Sequence, residues 1–144
     1  MTDEPVILAV DFGTSSMKVA LITVSGNVLG WESEPVNLIL TPEGGAEQSP
    51  EEWWQAFLAC SKRLITKGIV PASRVKAVCC STQGEGTIPV DQNGNPLTRC
   101  VLWMDMRGQA DLVRKFKGLI NQSMTIATGL FSTGSPPSNR QKMN

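Results

Sequence analysis

Val10-Asp11-Phe12-Gly13-Thr14-Ser15-Ser16-Met17-Lys18 joins two segments rich in apolar residues, and the fold can be inferred outward from it. Residues 6–10 are apolar at every position, which predicts a central strand covered on both faces. Residues 18–24 and 28–36 predict two more strands, separated by a tight reversal at 25–27. The sequence therefore predicts three antiparallel strands, with a glycine-containing turn between the first two.

The turn itself combines a carboxylate, a permissive backbone and short hydroxyls. Asp11 offers an oxygen ligand for Mg²⁺, and Gly13 lacks the Cβ that would keep phosphoryl oxygens away from the backbone. Thr14 and Ser15 contribute hydroxyl and N–H groups, and Lys18 adds a cation nearby. The same short pattern also marks ordinary β-turns, so only its context can indicate a phosphate site.

A helix is predicted after a loop at residues 41–48. Ser49 can cap it, Pro50 suits its first position, Glu52 completes a capping box and Gly68 is placed to end it. The apolar stripe expected to cover the sheet consists of Trp54, Phe57, Leu58, Ser61 and Ile65. For Trp53 and Trp54 the pattern favours core packing over ligand binding.

The rest of the chain predicts further strands and one more helix. Residues 75–81 are expected to form a second buried strand. Residues 87–90 predict a strand that enters an Asn-Gly turn, and residues 100–104 predict its returning partner. Residues 106–117 predict an amphipathic helix, after which the tail contains no complete amphipathic element.

Composition narrows the function. The chain of 144 residues has thirteen basic and thirteen acidic residues and no histidine, which disfavours nucleic-acid binding and leaves acid–base chemistry to carboxylates and lysines. The sequence has neither a signal-peptide pattern nor an apolar run long enough to span a bilayer, so we expect a cytoplasmic protein. The four cysteines lack a CxxC spacing and are expected to be buried free thiols: Cys60, Cys79, Cys80 and Cys100.

Four blocks in one order resemble the amino-terminal domain of the FGGY carbohydrate kinases, especially their xylulokinase-like branch. They are the turn quoted above, Ala46-Glu47-Gln48-Ser49-Pro50-Glu51-Glu52-Trp53-Trp54, Ser81-Thr82-Gln83-Gly84-Glu85-Gly86, and Leu102-Trp103-Met104-Asp105-Met106-Arg107. The resemblance implies an α/β, ribonuclease H-like fold of the actin/Hsp70/sugar-kinase type. Residues 1–144 would be a partial first domain, in which three antiparallel strands lead a mixed sheet with covering helices. The rest of that domain and the ATP-binding second domain would be absent.

The resemblance also implies ATP and Mg²⁺ as cofactors and assigns residues to them. Asp11 would be the catalytic metal-binding residue, and the general base is expected beyond residue 144. The phosphates would be approached by Gly13, Thr14, Ser15 and Lys18. The sugar or polyol would contact Gln83, Glu85, Trp103, Asp105 and Arg107.

Spacing adds a geometric expectation for the last block. Trp103, Asp105 and Arg107 alternate, so on an extended segment they would point to the same side. The alternative is a core tryptophan beside a surface Asp–Arg pair. Glu85 likewise has the alternative of a solvated loop glutamate.

The implied reaction is transfer of the ATP γ-phosphate to a hydroxyl of a sugar or polyol. Asp105 favours a ketopentose such as xylulose, whereas Glu85 is shared with glycerol kinases. We expect this chain alone to be inactive and its uncovered strands to favour self-association, with a homodimer plausible for the full-length parent and no membrane or nucleic-acid partner. Two alternatives stay open: a non-catalytic sugar-binding module and an actin/Hsp70-like ATP-binding module.

Overall fold

The computed structural model describes residues 4–108 of the chain. In chain order the elements are β1 (Val6–Phe12), β2 (Ser16–Thr23), β3 (Val28–Pro35), β4 (Ile39–Leu40), β5 (Ala46–Gln48), α1 (Pro50–Thr66), a 3₁₀ turn (Ala72–Arg74), β6 (Val75–Thr82) and β7 (Cys100–Val101). They form two compact units. The first comprises the described residues up to 37 together with 51–83, and the second comprises 38–50 together with residues from 84 onward.

The first unit contains a four-stranded mixed sheet in the order β3-β2-β1-β6. β1 pairs antiparallel with β2, which pairs antiparallel with β3, and β6 lies parallel to β1 on its other side. The three antiparallel strands and the central position of β1 are confirmed. A mixed sheet led by an antiparallel meander is compatible with the fold class expected from the sequence.

One face of this sheet forms the hydrophobic core. β1 contributes alternate side chains, and β2 contributes the residues that lie opposite them, so the period of two is visible in burial. The core residues of these strands and of α1 are Val6, Leu8, Val10, Met17, Val19, Leu21, Ala56, Cys60 and Leu64. Close packing here requires Gly30, because a Cβ at that position would lie 2.5 Å from Ile69 Cδ1.

α1 begins at Pro50 as predicted, and Gly68 follows its end with a φ of 63°. The expected stripe is wrong by about one residue. The buried face consists of Ala56, Cys60 and Leu64, with Trp53 and Phe57 partly buried against it, whereas Trp54 is 53% exposed. The core prediction is therefore correct only in part for Trp53 and wrong for Trp54. Small side chains at positions 56 and 60 allow this face to approach the sheet.

β6 forms where the sequence predicts a strand, but it is not buried. Seven of its eight residues are exposed, and within the described residues it pairs only with β1. Cys79 and Cys80 are accordingly exposed free thiols, contrary to prediction, while Cys60 and Cys100 are buried as expected. The second face of β1 is also only partly covered, so the expectation of burial on both faces is wrong.

The second unit contains a small sheet in the order β4-β5-β7. Residues 41–45 form the predicted loop, but residues 46–48 form β5 instead of continuing it. The Asn-Gly turn is confirmed, since Gly94 has a φ of 83° and Asp91 N donates to Asn95 O at 2.9 Å. The returning strand is limited to Cys100–Val101.

Residues 106–108 of the predicted helix are not helical, and its remaining residues lie outside the described part of the chain, as does the tail. Within residues 4–108, no helix is both long and apolar enough to cross a membrane.

Thiol reactivity tests this arrangement. At a dilution that keeps the chain monomeric, we expect iodoacetamide at neutral pH to modify Cys79 and Cys80 at least about tenfold faster than Cys60 and Cys100, as followed by peptide mass spectrometry. Burial raises the pKa of Cys100 to about 11, so that thiol stays protonated, and burial also raises the pKa of Cys60. In denaturant all four should react at similar rates. Rapid modification of Cys60 or Cys100 in the folded chain would contradict the described core.

Candidate functional site

The turn after β1 is tight, and its glycine is required by the space available. Gly13 N donates to Ser16 O at 3.2 Å, which closes the turn between β1 and β2. A Cβ at Gly13 would lie 2.8 Å from Ser16 O, 3.3 Å from Lys18 Nζ and 3.6 Å from Asp11 Oδ2. The turn therefore has no room for a side chain at this position.

Asp11 and Lys18 lie directly opposite each other in the β1–β2 register. Lys18 Nζ donates to Asp11 Oδ2 at 3.2 Å, and each side chain is about half exposed, at 53% and 45% for Lys18 and Asp11. An ion pair this open to water contributes little to stability, so its charges can exchange partners readily. The pair places one anion and one cation beside the same turn.

Gln83 is held against this turn by two contacts. Its backbone N donates to Phe12 O at 2.8 Å, which extends the parallel pairing of β1 and β6 by one residue. Its side-chain Oε1 accepts a hydrogen bond from Thr14 Oγ1 at 2.6 Å. The ring of Phe12 also makes an edge contact with Trp53 of α1, with centroids 6.5 Å apart. The turn is thus joined to β6 and to the helix.

The residues present fit a metal ion that arrives with a ligand. Among residues 4–108 there is no cluster of three or more acidic, cysteine or histidine side chains that could enclose a metal. Mg²⁺ in phosphate sites commonly uses one or two carboxylates together with waters and substrate phosphates. Asp11, whose side chain is about half exposed beside the turn, meets that requirement, whereas a dedicated structural metal site would need more ligands.

The second unit contains a network of charged side chains around Asp105, which is completely buried. Ala46 N donates to Asp105 Oδ2 at 3.0 Å, and Arg107 donates to the same carboxylate through Nε at 3.0 Å and Nη2 at 2.6 Å. Arg107 Nη2 also donates to Glu47 Oε1 at 2.6 Å, and Arg99 lies 3.7 Å from Glu47. The hydrogen bonds to Asp105 are the largest cause of a raised pKa of Arg107, and the bond to Glu47 adds to it, whereas burial acts to lower this pKa.

This network corrects the expectation for residues 103–107. The segment turns instead of extending, since Asp105 N donates to Leu102 O at 3.1 Å. Trp103 is 39% exposed while Asp105 has no exposed surface, so Trp103, Asp105 and Arg107 do not present one common side to solvent. The alternative is wrong as well, because the tryptophan is the exposed member and the aspartate the buried one.

Glu85 lies in an exposed loop with a left-handed backbone. Its φ of 38° is unusual for a residue other than glycine, and such conformations are often found at ligand-binding positions. Gly86 next to it must lack a side chain, because a Cβ there would lie 2.7 Å from Cys100 Sγ. A glycine at position 86 therefore allows the loop to pack closely against Cys100.

The predicted site residues divide between the two units. The first unit brings together Asp11, Gly13, Thr14, Ser15, Lys18 and Gln83. The second contains Glu85, Trp103, Asp105 and Arg107. The sequence did not single out Glu47 as a partner of Arg107, although it lies in one of the four quoted blocks. A pairing across 60 residues leaves no local pattern by which it could have been found.

Residues 6–137 match the FGGY family of carbohydrate kinases, N-terminal domain, and the chain belongs to this family. Xylulose kinase of Staphylococcus epidermidis is 37% identical over 102 residues, which cover 71% of this chain and 21% of that protein. Gluconokinase of Bacillus subtilis is 33% identical over 103 residues, which cover 72% of this chain and 20% of that protein. Glycerol kinase of Citrifermentans bemidjiense is 31% identical over 112 residues, which cover 77% of this chain and 22% of that protein.

Solved structures show the same fold. The crystal structure of a xyloylose kinase from Brucella ovis superposes with a TM-score of 0.72 at 25% identity, covering 78% of this chain and 24% of that one. A glycerol kinase of Plasmodium falciparum, solved with ADP, gives a TM-score of 0.69 at 20% identity. The match covers 85% of this chain and 25% of that one. This chain thus spans about a fifth of the length of the curated relatives it matches.

The buried carboxylate gives a test of the second unit. We expect Asp105→Asn to lower the free energy of unfolding by about 3 kcal/mol, because it leaves the partly buried Arg107 without its main counter-charge. Glu47→Gln is the matched control, since it removes a carboxylate that also binds Arg107 but is partly exposed, and its effect should be below about 1 kcal/mol. Urea denaturation followed by circular dichroism measures both. Equal losses in the two variants would contradict the central position of Asp105.

Proposed function

We propose that this chain provides the amino-terminal part of an ATP-dependent carbohydrate kinase, which transfers the γ-phosphate of ATP to a hydroxyl of a sugar or polyol. The observation that carries the proposal is the turn of residues 11–18, where a carboxylate, a cation and a glycine without room for a side chain lie beside Gln83. Membership of the carbohydrate kinase family supports it. Residues 1–144 as a partial first domain stay a prediction from the sequence.

The turn would bind the phosphates through its own charges and backbone. Asp11 would hold Mg²⁺, which when bound offsets the negative charge of the transferring phosphate. Gly13, Thr14 and Ser15 would approach the phosphate oxygens, and Lys18 would exchange its contact with Asp11 for one with a phosphate. Such positioning and charge compensation supply most of the catalysis in phosphoryl transfer.

The acceptor would be bound by Gln83 and Glu85, with the exposed indole of Trp103 packing on its C–H surface. Asp105 is buried, so it would act by orienting Arg107 toward the acceptor. We propose a ketopentose such as xylulose, because the Trp-x-Asp-x-Arg pattern and the identity to a xylulose kinase both favour it. Glu85 supports a smaller polyol such as glycerol as the second candidate.

Ligand binding and turnover by this chain test the proposal. We expect calorimetry to detect Mg-ATP binding, and Asp11→Asn to weaken it at least about tenfold through loss of the metal ligand. Glu51→Gln on α1 is the control, since it removes an exposed carboxylate outside the site. Titration with D-xylulose, L-ribulose and glycerol identifies the acceptor. Mg-ATP binding that is indifferent to Asp11→Asn would overturn the proposed nucleotide site.

The chain by itself should not catalyse the reaction, because the general base is expected beyond residue 144. With Mg-ATP and the same three acceptors we expect no sugar phosphate above background. Sugar binding without any nucleotide binding would favour a non-catalytic sugar-binding module, and nucleotide binding without sugar would favour an ATP-binding module. Steady turnover by the isolated chain would contradict the expected position of the base.

The open face of the first sheet supports self-association of this chain. A shallow depression of about 460 Å³ on that face is almost entirely apolar and is lined by residues that include Ala9, Ala20, Val28, Trp31 and Cys79. Trp31 is 65% exposed, although a sheet face in contact with water is normally polar. The chain has no net charge to keep copies apart. We propose that a second copy covers this face.

Substitution of one indole tests this surface. Trp31→Lys should shift the mass measured by light scattering toward that of a monomer, because it places a charge in the apolar face. Trp54→Lys is the matched control, as it removes a similarly exposed indole from α1. A monomer at high concentration that binds no hydrophobic dye would count against self-association. A homodimer of the full-length parent and a cytoplasmic location stay predictions from the sequence.

A further inference from the structure

Thr14 and Gln83 are 69 positions apart in sequence, yet their side chains make one of the shortest hydrogen bonds in the first unit. Thr14 Oγ1 donates to Gln83 Oε1 at 2.6 Å in a partly buried position. Thr14 belongs to the proposed phosphate turn and Gln83 to the proposed acceptor pocket. A direct bond between them is not required for either residue to bind its own ligand.

The bond has a defined direction. A glutamine amide has a carbonyl oxygen that only accepts and an NH₂ group that only donates. Because the Thr14 hydroxyl donates to Oε1, the carbonyl end faces the turn and the Nε2 end is directed away from it. The hydroxyl therefore decides which end of the amide is presented on the side away from the turn.

The backbone of Gln83 is held by the same turn. Its N–H donates to Phe12 O, so residues 12 and 14 hold the main chain and the side chain of one glutamine. A free glutamine side chain loses considerable rotamer entropy when it is fixed in a single geometry. Here that cost is met before any ligand binds, which is how a binding group is preorganised.

The turn is itself fixed at both ends. Gly13 N donates to Ser16 O, and Val36 N donates to Ser15 O at 3.2 Å. A ligand that moves Thr14 relative to these anchors would therefore also move the Gln83 amide, which is bonded to the Thr14 hydroxyl.

We propose that Thr14 is a positioning residue for Gln83: its hydroxyl sets the orientation of the amide and transmits occupancy of the phosphate turn to the acceptor-binding side chain. This inference rests on the proposed function for the identity of the two ligands. The orientation is argued from the hydrogen bond between Thr14 and Gln83 and needs neither ligand.

Nuclear magnetic resonance of the ¹⁵N-labelled chain tests the orientation without any ligand. Thr14→Val keeps the shape of the side chain but removes the donor, whereas Thr14→Ser keeps the donor. We expect the side-chain NH₂ signals of Gln83 to shift and to exchange faster with water in Thr14→Val, and to stay at their original positions in Thr14→Ser. Backbone amides of β1 and β2 report whether each variant is folded. Unchanged Gln83 signals in a folded Thr14→Val would overturn the proposal.

Titration with Mg-ATP tests the transmission. In the unaltered chain the Gln83 side-chain signals should shift with the same saturation curve as the amides of residues 13–16. In Thr14→Val, which also loses a hydroxyl proposed to approach the phosphates, the Gln83 side-chain signals should no longer follow any response of the turn amides. A Gln83 side chain that ignores a responding turn in the unaltered chain would overturn the transmission.

Two further results separate the possible failures. If no amide of the turn responds to Mg-ATP, the proposed function is wrong, and the ligand-free comparison alone decides the orientation. If Thr14→Val does not fold, Gln83→Met serves instead, because it removes the acceptor and leaves the threonine intact. The Thr14 side-chain signals should then shift, and Thr14 side-chain signals identical to those of the unaltered chain would overturn the proposal.

Discussion

The parallel pairing of β1 with β6 is the constraint on which the first unit depends. It brings the carboxyl ends of two strands to one edge, with Asp11 opposite Ser81 and Phe12 opposite Thr82. Open α/β sheets commonly bind ligands at such an edge, where both chains leave the sheet. Because β2 returns antiparallel along the other side of β1, Lys18 reaches the same edge. Two strands adjacent in sequence and a third that is distant in sequence thus meet at one edge through backbone pairing alone.

The strands of the first unit were predictable because their signals are local. Continuous apolar residues and a tight reversal define β1, β2 and β3, and the Pro50 and Gly68 signals bracket α1 closely. The orientation of α1 was not predictable to one residue, because two adjacent tryptophans fit either stripe. The exposure of β6 was also missed. An apolar strand has the same sequence pattern in the middle of a sheet and at its edge. Whether it is buried depends on which other segments pack against it, and the sequence of the strand alone does not show this.

The candidate site likewise has a part that the sequence predicted, because its signals are local, and a part that it did not. The turn of residues 11–18 could be predicted because its carboxylate, glycine and lysine are close in sequence and their chemistry follows from residue type. The arrangement around Asp105 could not, because the carboxylate is held by Ala46 N and shares Arg107 with Glu47, both from a distant segment. Alternation of residues 103, 105 and 107 indicates a common side only if the backbone is extended. A single turn after Leu102 removes that condition.

The contact between Phe12 and Trp53 has an optical consequence. The chain contains four tryptophans, of which Trp31, Trp54 and Trp103 are exposed, while Trp53 is partly buried and its Nε1 has no hydrogen-bond partner among the described residues. An indole in an apolar setting emits at shorter wavelength than one in water, so the blue edge of the fluorescence spectrum belongs mainly to Trp53. That indole touches the residue immediately before Gly13. The molecule therefore carries, in its own helix, a chromophore that responds to changes in the turn.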